Sequence, residues 1–166
     1  GITTTPLQLA KAYAIIANGG YKIKPTLIKN EKNYEKGEQV ITKETSNKIN
    51  DILRKIVTSE QGTANLANIK GYQIAGKTGT AQKSIDGKYS KKKINTFASI
   101  FPVPSPKYVL IVLLDEPKLS ETYVYNYNDG KERKIVGTPY NTAGWTSVEV
   151  ARNIIEKIGP ILAIKY

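Results

Sequence analysis

The chain has no cysteine, no histidine and no methionine in 166 residues. Without cysteine there are no disulfides, no thiolate nucleophile and no sulfur ligand for a metal. Without histidine the commonest general base and the commonest metal ligand are both missing, so no metal site and no cofactor are expected. The lack of methionine means that Gly1 is not a natural translation start, and the chain is expected to begin inside a longer protein or after processing. Long apolar runs are also missing. The longest, Tyr108 to Leu114, is far below the ~20 residues that span a bilayer, and no signal-peptide pattern opens the chain. Any targeting element of the parent protein is expected upstream.

Arginine is scarce. Only Arg54, Arg133 and Arg152 are present, so the net charge of +11 is almost entirely lysine. Nucleic-acid readers lean on arginine for bidentate contacts, and lysine with abundant Ile, Asn and Tyr is the signature of A/T-rich codons. Genome composition accounts for the charge, and no nucleic-acid partner is expected. What is present is ordinary globular composition, 40% hydrophobic and 23% charged, in a chain long enough for one domain with a real core.

Thr5-Pro6-Leu7-Gln8 reads as a helix start, with Thr5 as N-cap, Pro6 in the first helical position and Gln8 completing a capping box. Leu9, Tyr13, Ile16 and Ala17 give this helix one apolar face, and Asn18-Gly19-Gly20 ends it. Tyr21 to Ile28 reads as extended and Lys29 to Glu38 as a charged loop. A second helix opens near Thr42, with Ile49, Ile52, Leu53, Ile56 and Val57 facing inward and Lys48, Asn50, Asp51 and Lys55 facing away. Tyr72 to Ala81 reads as a strand. Asp86-Gly87 is a hairpin turn, and Thr96 to Phe101 resumes as strand beyond a lysine-rich extension. Pro102 to Pro106 is a tight turn, and Lys107 to Leu114 suits a central strand covered on both faces. Leu119 to Asn141 reads as a long tyrosine-rich loop. Thr142 is expected to cap a last helix whose stripe is Val148, Ala151, Ile155 and Ile158, ending at Gly159-Pro160. The order gives an α+β fold, a three-stranded antiparallel sheet covered by helices, with at least one sheet edge unfinished.

Lys77-Thr78-Gly79-Thr80 carries the chemistry. A strand lysine supplies fixed positive charge to a carboxylate, and the Thr78 and Thr80 hydroxyls can donate to it. Gly79 leaves room for a substrate backbone to lie alongside as an added strand. The Thr80 N–H, pointed into a cleft, serves as one of two oxyanion-hole donors. Lys-Thr-Gly alone is a short string, and by itself it reads as a turn or an edge lysine. Its surroundings are distinctive. Gly71-Tyr72-Gln73-Ile74-Ala75-Gly76 leads into Lys77-Thr78-Gly79-Thr80-Ala81-Gln82, Gly62-Thr63-Ala64 lies ahead, and Thr5-Pro6-Leu7-Gln8-Leu9-Ala10 precedes Ala17-Asn18-Gly19-Gly20.

Together these strings resemble the C-terminal part of the transpeptidase domain of class B penicillin-binding proteins, over nearly the whole chain. Ala143-Gly144-Trp145 is similar to the division-type members of alphaproteobacteria. The resemblance implies residues 1–166 as the C-terminal portion of a penicillin-binding transpeptidase domain, in the fold shared with serine β-lactamases. It implies D,D-transpeptidation of peptidoglycan stem peptides through an acyl-serine, with β-lactams as inhibitors and divisome proteins as possible partners. The location implied is the periplasmic face of the bacterial inner membrane. Lys77, Thr78, Gly79 and Thr80 would bind the substrate or β-lactam carboxylate and help form the oxyanion hole.

Two family motifs do not map. The one Ser-x-x-Lys string, Ser90-Lys91-Lys92-Lys93, follows Lys-Thr-Gly instead of preceding it and sits in a lysine run beside a hairpin tip, where a solvated tip is the simpler reading. No Ser-x-Asn string is present. Both motifs are expected upstream of Gly1, so the chain alone is expected to be inactive. In the family the strand corresponding to Tyr108–Leu114 pairs with an N-terminal strand that is absent here, so its edge is expected to be open and to let the chain dimerise. A non-catalytic module of the same fold and a serine β-lactamase are the alternatives. Trp145 reads as a packing anchor. Asp115 and Glu116, adjacent on a strand, are expected on opposite faces and so cannot flank one glycosidic bond.

Overall fold

The computed structural model describes residues 2–28, 37–127 and 133–164. The charged loop expected from Lys29 lies largely outside the described residues. Helix α1 spans Pro6–Ala17, α2 Lys43–Thr58 and α3 Ser147–Ile164; strands β1 (Ala75–Ile85), β2 (Lys88–Phe101) and β3 (Tyr108–Asp115) form one antiparallel sheet in that order. A second, two-stranded pairing joins β4 (Val124–Asn126) to β5 (Lys134–Val136).

The local signals at the helix starts act as the sequence implies. The Thr5 hydroxyl accepts from the Gln8 N–H at 3.2 Å while the Gln8 side chain accepts from the Thr5 N–H at 2.8 Å. Gly19, at φ 86°, turns the chain out of α1. Thr42 caps α2 through the Thr45 N–H.

The buried face of α2 differs from expectation. Leu53 and Val57 are buried, but so are Ser46 and Asn50, and Ile52 is 59% exposed. The reason is α1. Its last carbonyls have no partner within the helix, and the Ser46 hydroxyl donates to the Ile16 carbonyl at 2.5 Å with the Asn50 amide at 3.5 Å from the same oxygen. Two polar residues of α2 thus face inward to satisfy the end of α1.

The sheet carries a core on each face. Phe97, Phe101 and Val112 pack with Val148, Ala151 and Ile155 of α3, while Ala75 and Ile100 pack with Leu53 of α2 and with Tyr13 and Ile16 of α1. Alternation along β2 sends Phe97 one way and Ile100 the other, so the strand is apolar at successive positions. The open edge expected along Tyr108–Leu114 is present: β3 pairs with β2 alone among the described residues. The expected cover on both faces is incomplete, with Leu113 43% exposed.

β1 and β2 run on past β3 as a two-stranded ribbon, bulged between Gln82 and Ser84 and closed by Asp86 and Gly87 at φ 50° and 76°. Both turn residues are left-handed, as a two-residue hairpin loop requires.

Two further expectations change. The tyrosine-rich stretch after Leu119 contains the β4–β5 pairing, which is held against α3. Tyr123 donates to the Glu149 carboxylate at 2.8 Å, the Tyr125 hydroxyl donates to the Trp145 carbonyl at 2.8 Å, and the buried Arg152 guanidinium donates to the Asn126 carbonyl. The last helix starts at Ser147 rather than directly after Thr142, and it continues through Gly159 and Pro160 to Ile164. Packing overrides the breakers here. The Tyr72 ring lies where a Gly159 side chain would be, and Leu162 packs against the core beyond it.

Candidate active-site cleft

The four residues singled out in the sequence stand together on β1, opposite Ala98, Phe97, Thr96 and Asn95 of β2. Strand alternation puts Thr78 and Thr80 on the α3 face and Lys77 and Gly79 on the other. β1 has no partner on its second edge among the described residues.

Lys77 is exposed, and its ammonium bends round that free edge to donate to the Thr78 carbonyl at 2.8 Å, with the Thr78 hydroxyl at 3.4 Å. This contact places the Thr78 carbonyl on the unpaired edge. The two-residue repeat of an antiparallel ladder puts the N–H and C=O of Thr80 there too. A cation, hydroxyls and backbone groups that no neighbouring strand engages therefore share one open edge.

The two glycines of the strand differ in kind. A Cβ at Gly76 would sit 2.6 Å from the Ala98 carbonyl and 2.7 Å from the Phe97 ring, so the core requires glycine there. A Cβ at Gly79 would meet nothing nearer than Thr96 at 4.0 Å. Internal packing does not explain glycine at position 79.

Two other segments complete the cleft. The hydroxyls of Thr63 and Thr78 lie 2.8 Å apart, and the Thr80 hydroxyl accepts from the Ala143 N–H at 2.9 Å. Gly144 lets the Thr63 carbonyl approach to 2.6 Å of where its own Cβ would stand. The segments around Thr63, Thr78 and Ala143 are thus clasped in a ring about a groove of about 410 Å³, whose lining includes Gln61, Leu66 and Trp145. Trp145 serves as the expected anchor, edge-on to Tyr125 at 5.2 Å, and as part of this wall.

The turn carrying Ala143 is held from beneath by a buried polar chain. Asn95, fully buried and paired across the strands with Thr80, donates to the Asn141 side chain at 2.9 Å and to the Thr146 hydroxyl at 2.8 Å. Thr146 in turn donates to the Thr142 carbonyl at 2.9 Å. Nothing in the motif strings marks Asn95, Thr63 or Ala143 as a unit.

Ser90 does not enter the cleft. It lies on the ribbon, where its hydroxyl accepts from the Lys92 N–H at 3.2 Å, roughly 20 Å along the strand from Lys77. The expected separation of Asp115 and Glu116 is corrected. Glu116 has left the strand at φ 50°, and both carboxylates reach the Lys83 ammonium, at 2.9 and 2.8 Å. Glu116 also meets Lys92 at 3.2 Å. Hydrogen bonding from Lys83 and then Lys92 holds the Glu116 carboxyl below its ordinary range, and Glu116 followed by Asp115 raises Lys83.

The sequence matches the family described as the penicillin binding protein transpeptidase domain over residues 1–139. It is 30% identical to the probable peptidoglycan D,D-transpeptidase FtsI of Caulobacter vibrioides, across 99% of this chain and 27% of that protein. It is 32% identical to the peptidoglycan D,D-transpeptidase FtsI homolog of Mesostigma viride, across 82% of this chain and 26% of that protein. In three dimensions it is similar to the apo transpeptidase domain of penicillin-binding protein 3 from Burkholderia pseudomallei. That superposition has a TM-score of 0.68 at 27% identity, over 93% of this chain and 41% of the other. The chain spans about a quarter of the length of the curated relatives it matches.

Proposed function

Because the chain belongs to the penicillin-binding protein transpeptidase domain family, we propose that it supplies the carboxylate-binding wall of a peptidoglycan D,D-transpeptidase. The acylated serine comes from sequence outside these 166 residues. A stem peptide or β-lactam lies along the open edge of β1 as an added strand, its carboxylate facing Lys77 and the Thr78 and Thr80 hydroxyls. The serine oxygen attacks the acyl carbon, the carbonyl oxygen becomes an oxyanion, and the Thr80 N–H is one of its two donors. Such a donor contributes about 3 kcal/mol to the transition state. Domain position, the periplasmic face and a division role belong to the same reading.

The observation that carries this proposal is the pairing of an exposed cation with a glycine that the fold does not need. Lys77 and Gly79 belong to a strand whose outer edge pairs with no other strand among the described residues, and a ligand explains all three. The test is covalent labelling by a fluorescent penicillin. The isolated chain is expected to take no label, and the full-length protein to take it at one serine outside this chain. Lys77→Ala in the full-length protein removes a charge-assisted hydrogen bond of about 1.5–3 kcal/mol and should slow labelling about 10- to 100-fold. Labelling of the isolated chain, or wild-type labelling of Lys77→Ala, would sink the proposal. Rapid release of hydrolysed β-lactam by the full-length protein would replace transpeptidation with β-lactamase activity.

A further inference from the structure

We infer that Thr63 is a positioning residue that aims the Thr78 hydroxyl at the ligand carboxylate; the inference rests on the carboxylate-binding reading of Lys77 and Thr78. The argument is one of donors and acceptors. The Lys77 ammonium can only donate, and it stands 3.4 Å from the Thr78 oxygen on one side. On the other side the only side-chain partner at hydrogen-bond distance among the described residues is the Thr63 hydroxyl, at 2.8 Å, a group that can either donate or accept. With the cleft empty, Thr78 is free to give its proton to Thr63. Once a carboxylate is present, the Thr78 proton is needed for the ligand, and Thr63 must rotate its own proton toward Thr78 so that the shared contact survives.

Thr80 is built on the same plan with a fixed partner. Its oxygen accepts from the Ala143 N–H, which can only donate, so the Thr80 proton is always available to a ligand. Thr63 gives Thr78 the equivalent service through a rotor instead of an amide. Its backbone is held for the purpose by the close approach of its carbonyl to Gly144. The Thr63 side chain is exposed and lies outside both buried clusters, so its hydroxyl is not needed to fill the core.

The experiment compares acylation of the full-length protein by a penicillin and by the methyl ester of the same penicillin. The wild type should prefer the acid. Thr63→Val keeps the shape and removes the rotor; it should slow the acid about tenfold and leave the ester nearly unchanged, so the acid-to-ester ratio falls toward that of Lys77→Ala. Thr63→Ser should restore the ratio, and the unfolding temperatures of all three should agree. A wild-type ratio in Thr63→Val overturns the inference. So does an equal loss toward acid and ester, or a lowered unfolding temperature, because either marks a merely structural residue. A wild-type ratio in Lys77→Ala would instead remove the carboxylate reading beneath it.

Discussion

Gly76→Ala and Gly79→Ala place the same methyl group three residues apart on one strand and should have opposite consequences. At position 76 the new Cβ lies 2.6 Å from the Ala98 carbonyl oxygen and 2.7 Å from two carbons of the Phe97 ring. The carbonyl belongs to the paired strand and Phe97 is fully buried, so neither moves without shifting β2. Overpacking of this kind costs about 1–3 kcal/mol, against which the stiffer unfolded chain returns about 0.4–1 kcal/mol. The net loss is on the order of 1–2 kcal/mol, or an unfolding temperature lower by about 2–8 °C for a domain this size. At position 79 the nearest atom is 4.0 Å away, leaving only the unfolded-state term, so stability should stay the same or rise by up to about 1 kcal/mol. Penicillin labelling should show the reverse order, because position 79 lies between Thr78 and Thr80 on the strand proposed to hold the ligand. Thermal unfolding followed by labelling kinetics, both on the full-length protein, tests the pair. If Gly79→Ala unfolds as early as Gly76→Ala, the fold needs that glycine after all. If it is stable and labels at the wild-type rate, no ligand backbone approaches there.

Two other outcomes are expected. Asn95→Ala removes two buried hydrogen bonds and opens a small cavity beneath the turn that carries Ala143. It should cost about 2–3 kcal/mol in denaturant unfolding and slow labelling as well; a loss below half of that would mean that Asn141 and Thr146 find other partners. The ribbon network gives a pH signature. The Glu116 pKa is lowered in the fold, so its contribution is present above the ordinary value of about 4.3 and is lost as pH falls through the lowered one. The Lys83 pKa is raised, so its contribution is complete below about 10.4 and is lost as pH rises through the higher value. The difference in unfolding temperature between wild type and Lys83→Gln should therefore be flat near neutrality and shrink at both extremes. A difference that persists unchanged down to the onset of acid unfolding would show that the network is not the cause.

Local chemistry was legible because its causes are local. The capping box at Thr5 and Gln8, the Thr42 cap and the Asp86-Gly87 hairpin are each closed within a few residues, and the structure contains all three. The four-residue run on β1 was legible for a similar reason, since a single strand carries it. Where the sequence misled, a distant partner had intervened. Asn50 and Ser46 turn inward because the end of α1 needs donors. Gly159 and Pro160 stay helical because Tyr72 packs into the gap that Gly159 leaves.

The sequence by itself therefore determined α1, α2 and the three-stranded sheet, the α+β class and the family, all of which depend on short-range periodicity and motif. Only the tertiary structure decided that Gly76 is required by the core and that Gly79 is not. It alone joined Thr63 to Thr78, Ala143 to Thr80 and Asn95 to the turn above them. Those contacts bridge 15 to 63 residues of chain, and hydrogen-bond partners at such separations are chosen by packing geometry, which leaves no period in the sequence.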